Sequence, residues 1–241
     1  MVYGIVKGLD RDKIDVFILS LSKGPKDDSV QRFSELDIHI NTLDNSRVRG
    51  YFSNRLGVQQ FIDEQKINLV HSHGIRADQI NSTLQNVKRF TTVHNFPDED
   101  YRFRYGKFMG SILAAKHKGV FKKIPNRICC SQSLATRFQG KDKINMEFVR
   151  NGIDIKRFSS VKDSAEKNSL RKELDLPVGT KIFVVCGGVS YLKNPMLILG
   201  AFNRNQLKDT MLLFLGDGEL LDKLSSENAN PNIRFQGKTD R

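Results

Sequence analysis

Five histidines and a few paired glycines carry most of the reactive chemistry in this 241-residue chain. His71 and His73 stand two apart at the end of a short apolar run, so a strand there sends both imidazoles to one face. Read as metal ligands they suggest a hydrolase. Read as polar binding groups they meet a substrate, and no acidic or histidine cluster at ligand spacing accompanies them. His94 closes the run Thr91-Thr-Val-His-Asn95, where it either reaches a substrate hydroxyl or is satisfied by nearby backbone. Gly187 and Gly188, just ahead of a helical stretch, let backbone N–H groups approach an anion with no Cβ in the way. Lys193 then adds a fixed positive charge suited to phosphate. The plainer reading is a tight turn followed by a solvated lysine. Gly216-Asp-Gly218 repeats the pattern, without the third glycine of a dinucleotide fingerprint or a G-x-x-x-x-G-K-[ST] loop. His39 and His117 suggest no chemistry.

These residues need a scaffold that gathers them. Strand-like runs occur at Ile14–Leu21, Asn68–His71, Phe90–Val93, Arg127–Cys130 and Glu147–Val149, with a weaker one at Leu36–Ile40. Between them lie helix-length stretches at Gly50–Gln65, Arg76–Val87, Tyr101–Lys123 and Gln132–Gln139. The polar Ser159–Lys167 reads as a linker, and Ser169–Leu174 as a helix stopped by Pro177. A second alternation follows: strand Lys181–Cys186, helix Pro195–Asn205, strand Met211–Leu215, helix Glu219–Glu227 and strand Asn232–Phe235. Such alternation implies parallel sheets covered by helices on both faces, an α/β fold in two domains, residues 1–160 and 168–241. Ligands of open parallel sheets bind beyond the carboxyl ends of the strands. Ser72-His-Gly74, His94-Asn95, Ser131, Asn151-Gly152, Gly187-Gly188 and Gly216-Asp-Gly218 all fall there, which implies a crevice shared by two sheets.

Composition narrows the classes. With 27% charged and 39% hydrophobic residues the chain is globular. No apolar run approaches the ~18 residues of a membrane span, and the N-terminus lacks the layout of a secretory signal. Cys129, Cys130 and Cys186 have no disulfide or zinc spacing; they read as small core residues in a reducing, cytoplasmic compartment. Much of the formal charge of +12 lies in Arg102–Arg127, which has no Asp or Glu and interleaves its cations with Phe103, Tyr105, Phe108, Met109 and Ile112. This is either a basic amphipathic helix for an anionic membrane surface or lipid-linked ligand, or a surface helix packed on the sheet. Nucleic acid fits less well, because aromatic stacking residues on an exposed sheet face are not evident.

The order of motifs resembles one family. Val70-His-Ser-His-Gly-Ile-Arg-Ala-Asp78, Thr92-Val-His-Asn95, Cys130-Ser-Gln-Ser-Leu-Ala135, Arg150-Asn-Gly-Ile-Asp154 with Phe158, Gly187-Gly-Val-Ser-Tyr-Leu-Lys-Asn-Pro195, Leu215-Gly-Asp-Gly218 and Phe235-Gln-Gly237 are similar, in sequence and spacing, to the strand-end motifs of the retaining GT-B glycosyltransferases called family four. The resemblance implies two Rossmann-like domains, an acceptor side and a nucleotide-sugar donor side, working without metal. By that likeness His94 meets the transferred sugar, and Lys193 steadies the departing diphosphate. Gly187, Gly188, Asn151, Gly216 and Gly218 line the donor, while His73 and Arg76 lie toward the acceptor. The function implied is transfer of a hexose to a lipid-linked or polysaccharide acceptor in surface glycan synthesis at the cytoplasmic membrane face. Three departures are visible. The family's arginine is replaced by Gly188, its opening strand and acceptor loop are missing, and Arg241 precedes its paired-glutamate segment. The C-terminal domain is therefore expected to be incomplete. The alternative is a non-catalytic remnant that binds glycan or anionic lipid.

Overall fold

A computed structural model describes residues 2–21, 33, 35–36, 38–43, 50–205 and 207–239. They form two compact units, Met1–Phe158 and Ser159–Arg241. In the first unit the order is α1 (Val2–Lys7), β1 (Phe17–Ser20), β2 (His39–Thr42), α2 (Gly50–Glu64), β3 (Leu69–His73), α3 (Ile75–Asn81) and β4 (Lys88–Val93). It continues with α4 (Pro97–Tyr105), α5 (Lys107–Phe121), β5 (Asn126–Cys129), α6 (Gln132–Asp142) and β6 (Glu147–Phe148). The second unit holds α7 (Ser164–Glu173), β7 (Lys181–Cys186), a 3-10 turn at Tyr191–Lys193, α8 (Pro195–Asn205), β8 (Thr210–Leu215), α9 (Leu221–Glu227) and β9 (Ile233–Gly237).

Every strand pair is parallel. The sheets run β1-β2, β3-β4-β5-β6 and β7-β8-β9, so neighbouring strands follow one another in sequence and helices make the crossovers. Both units are therefore α/β, as the alternation implies. Val93 and Cys129 point from β4 and β5 into a core closed by Phe121, Leu134 and Phe138 of α5 and α6. Leu212, Phe214 and Ile233 do the same in the second unit with Leu220 and Leu224. Coverage is uneven, contrary to the expectation of helices on both faces. Central β8 is buried along Thr210–Phe214, whereas β7, at the sheet edge, leaves Phe183 and Val184 exposed.

Several boundaries differ from the sequence reading, each for a local reason. The basic stretch is two helices, because Gly106 at φ +77° separates α4 from α5. Its cations are partly neutralised. Lys118 bridges Asp98 (2.9 Å) and Asp142 (2.7 Å), and Arg104 pairs with Asp100 (3.0 Å). The expected helix Arg76–Val87 stops at Asn81, where Ser82 and Thr83 turn their hydroxyls back to the Gln79 and Ile80 carbonyls. The linker stretch already contains the start of α7. Asp163 caps it by accepting from the Glu166 amide (2.8 Å), and Glu166 accepts in turn from the Lys162 amide, on a helix with no buried side chain. Of the three cysteines only Cys129 is core; Cys186 is exposed on edge strand β7. The weak strand Leu36–Ile40 lies partly outside the described residues, and β2 begins at His39.

Candidate active site

Parallel register sets Ser72 opposite Thr91 and His73 opposite Thr92. Because strand side chains alternate between faces, His71, His73 and, two residues past Thr92, His94 share one face, while Ser72 and Thr91 share the other. On the first face the imidazoles stand in a row. The His71 and His73 rings stack at 4.6 Å, and His73 and His94 at 5.6 Å and 19°. His73 Nδ1 and His94 Nε2 share a hydrogen bond of 3.3 Å, and His71 Nε2 bonds with Thr92 Oγ1 at 2.7 Å. Cys130 Sγ donates to the His94 carbonyl at 3.4 Å, which ties the end of β4 to that of β5. His71 and His73 are thus engaged with separate partners. Among the described residues no group of three or more His, Cys, Asp or Glu is placed to hold a metal ion.

Burial holds all three rings below the ordinary imidazole value. His73 falls furthest, from 6.5 to about 4, first through desolvation and then through His71 and His94 beside it. His71 and His94 are lowered by the same principal cause. The row is therefore neutral at pH 7, with ring nitrogens free to accept as well as donate. The unfolded chain binds a proton at His73 below pH 6.5, whereas the folded chain resists it down to about pH 4. Stability conferred by the neutral ring is complete above pH 6.5 and is lost as pH falls through that interval. Thermal melts from pH 7 to pH 4 are expected to show a falling midpoint, with a shallower slope in His73→Gln. Equal slopes in the two proteins would remove His73 as the cause.

The opposite face holds a polar network that sequence reasoning missed. Asp78 Oδ1 accepts from Ser72 Oγ (2.6 Å) and Thr91 Oγ1 (2.7 Å). His117 Nε2 bonds with Asp78 Oδ2 at 2.8 Å, where only a ring N–H can donate to the carboxylate, and its Nδ1 bonds with the Tyr101 hydroxyl at 2.6 Å. Asn81 donates to Ser72 Oγ (2.8 Å) and to the Phe90 carbonyl (2.7 Å). Asp78 lies in the quoted Val70–Asp78 motif, which was the available signal. His117, thirty-nine residues on, gave none.

The other expected site residues fall as follows. Arg76 Nη2 donates to the Leu21 carbonyl at 3.3 Å, so it holds backbone. Ser131 Oγ accepts from the Leu134 amide and caps α6. Asn151 is exposed on the segment after β6. In the second unit the strand-end loops are laced together: Gly187 N–H donates to Leu215 O (2.9 Å), Val189 N–H to Asp217 O (2.9 Å) and Gly216 N–H to Gly237 O (2.8 Å). This brings Gly187, Gly188, Gly216 and Gly218 together at one end of the β7–β8–β9 sheet. The Gly187 amide, expected to face an anion, is used in that lacing. Lys193 is exposed and ends the 3-10 turn; the helix begins two residues later, at Pro195.

Two parallel α/β units with ligand-type residues at their strand ends define the GT-B fold class, and solved structures agree. The chain superposes on a glycosyltransferase from Rickettsia africae ESF-5 (TM-score 0.64, 14% identity, 93% of this chain and 60% of that one). It is similar to Anabaena Alr3699/HepE in complex with UDP and glucose (TM-score 0.68, 14% identity, 99% and 65%). It is also similar to sucrose-phosphate synthase from Thermosynechococcus elongatus (TM-score 0.71, 14% identity, 95% and 62%). The chain thus spans between 60% and 65% of the length of these structures. No curated protein sequence matches it. Residues 1–157 match Glycosyltransferase Family 4, and the chain belongs to that family.

Proposed function

We propose that this chain belongs to a retaining glycosyltransferase that moves a hexose from a nucleotide-sugar to a lipid-linked or polysaccharide acceptor, at the cytoplasmic face of a membrane and without metal. The observation that carries the reading is the row of neutral histidines where β3 and β4 end. A half-buried, uncharged His94 offers a hydrogen bond to a sugar hydroxyl or to the leaving oxygen without competing for the donor's charge. His73, its ring partner, faces the acceptor side. Lys193 and the loops bearing Gly187, Gly188, Gly216 and Gly218 take the diphosphate, whose growing negative charge a nearby cation stabilises. Asn151 lines the donor, and Arg76 braces the acceptor side through the Leu21 carbonyl. Structures of Anabaena HepE with UDP and with UDP-glucose support a uridine nucleotide donor.

The acceptor's lipid character is supported by the corner between α4 and α5. Phe103, Tyr105, Phe108, Met109 and Ile112 are exposed there among Arg102, Lys107 and Lys116, and Phe108 is 80% exposed. Aromatic and aliphatic side chains flanked by cations match the interface of an anionic bilayer. No described helix is long and apolar enough to cross a membrane.

The test is release of nucleoside diphosphate from a panel of UDP- and GDP-hexoses, with lipid-linked oligosaccharide present and absent. Release that depends on acceptor is expected. A chain that binds glycan or anionic lipid yet neither binds nucleotide by calorimetry nor consumes any donor would contradict the reading and favour a purely binding role.

A further inference from the structure

We propose that Asp78 is a positioning residue of this site: through Ser72 and Thr91 it locks the ends of β3 and β4 so that His73 and His94 remain in ring contact on the opposite face. The inference rests on the transfer reading for its kinetic consequence, but its structural content stands apart from it. Ser72 and Thr91 are register partners, and each immediately precedes a residue of the histidine face, His73 and Thr92. Both hydroxyls converge on one oxygen, Asp78 Oδ1, at 2.6 and 2.7 Å. A single carboxylate on α3 therefore ties two strands to each other at the level of the histidines. His117 on α5 holds the second oxygen at 2.8 Å, and Tyr101 on α4 holds His117 at 2.6 Å. The anchor is thus itself fixed from two further elements.

The network is an expensive way to fill a core. Ser72, Asp78, Asn81, Thr91 and His117 are all at most 5% exposed, and Asn81 Oδ1 has no partner at all. A buried polar network built on a carboxylate gives little net stability compared with apolar side chains of the same volume. What such a network can supply is directional fixity, since each bond has a length and an angle that apolar packing lacks. Strand alternation carries that fixity across the sheet: holding the side chain at one position sets the backbone from which the next projects on the other face. The distances concerned are short enough to matter, because the His73–His94 bond of 3.3 Å is already near the limit of hydrogen-bonding reach.

Two variants of the full chain test this. Ser72→Ala/Thr91→Val removes both hydroxyls and leaves the Asp78–His117 pair in place; Asp78→Asn removes the charge. Circular dichroism and thermal melting check the fold, NMR titration follows the imidazoles, and initial rates give kcat and KM. In the double variant His73 is expected to titrate above its value of about 4, moving toward 6.5, as the rings part and water enters. Loss of the Asp78 charge alone drives His73 the other way, since that carboxylate raises it. A rise in the double variant therefore reports geometry and not charge. Turnover is expected to fall on the order of 100-fold with the donor KM unchanged. A folded double variant whose His73 titration is unmoved overturns the proposal. If the parent chain transfers no sugar but the titration still shifts, positioning by Asp78 stands and the transfer reading fails separately.

Discussion

His94→Ala is expected to lower the rate of sugar transfer by roughly 10²–10⁴-fold, the range lost when a positioned proton-transfer or hydrogen-bonding group is removed. The expectation follows from what His94 does in the structure. It stands one residue beyond β4, its backbone carbonyl is held by Cys130 Sγ, and its ring leans on His73. It belongs to the apolar core of neither unit, so truncation removes little packing beyond its ring contact with His73. Burial keeps its ring neutral at pH 7, leaving one nitrogen to donate and the other to accept. Truncation removes both functions while the strand that presents them stays folded. His94→Gln, which keeps a donor and an acceptor at nearly the same reach, is expected to restore part of the rate, and His94→Phe none. Release of nucleoside diphosphate, measured beside a thermal melt, separates chemistry from folding. An alanine variant that melts like the parent and turns over at the parent rate would show that this histidine is a bystander.

Elements whose pattern is local were legible in the sequence, and relations between distant residues were not. β7 at Lys181–Cys186 and α8 at Pro195–Asn205 occupy the residues expected, because an apolar run bounded by Gly187 and a helix opened by proline are complete signals by themselves. The break at Gly106 was hidden inside one continuous basic and apolar stretch, since a lone glycine is tolerated within many helices. The start of α7 was hidden for the opposite reason: a helix that buries nothing shows no apolar period, so only its Asp163–Glu166 cap marks it. Strand-end positions were legible in part. His73 and His94 were named for their positions at strand ends, and they do meet. The Asp78 network was invisible, because Ser72, Asp78, Thr91, Tyr101 and His117 come from five different elements and only the parallel register brings them together. Arg76 shows the converse limit. Its charge and its motif suggested a ligand contact, and neither announced that one guanidinium nitrogen donates to the Leu21 carbonyl.

The second large effect concerns the paired glycines of the second unit, where two neighbouring positions are expected to differ in what an added Cβ does to the fold. Gly216 has φ +144°, a conformation essentially restricted to glycine, and a Cβ placed there would be driven into the Gly187 carbonyl oxygen. That carbonyl cannot retreat, because the Gly187 amide is bonded to Leu215 O and the Gly216 amide to Gly237 O, which laces three strand ends into one rim. Gly216→Ala must therefore break the lacing, at roughly 1–3 kcal/mol for the backbone strain alone. Gly188 differs: its nearest neighbour to an added Cβ is Asp217 O at 3.7 Å, ordinary contact distance. Gly188→Ala is thus expected to melt like the parent, while its added Cβ, standing where Gly188 leaves room for the diphosphate, weakens UDP binding. Gly216→Ala is expected to melt earlier and to lose UDP binding by ten-fold or more, about 1.4 kcal/mol. The pair also separates two causes. If both variants kept their affinity, nucleotide would be held elsewhere than at these loops. If both lost it while Gly188→Ala melted normally, the open space above Gly188 would itself be occupied by the bound nucleotide.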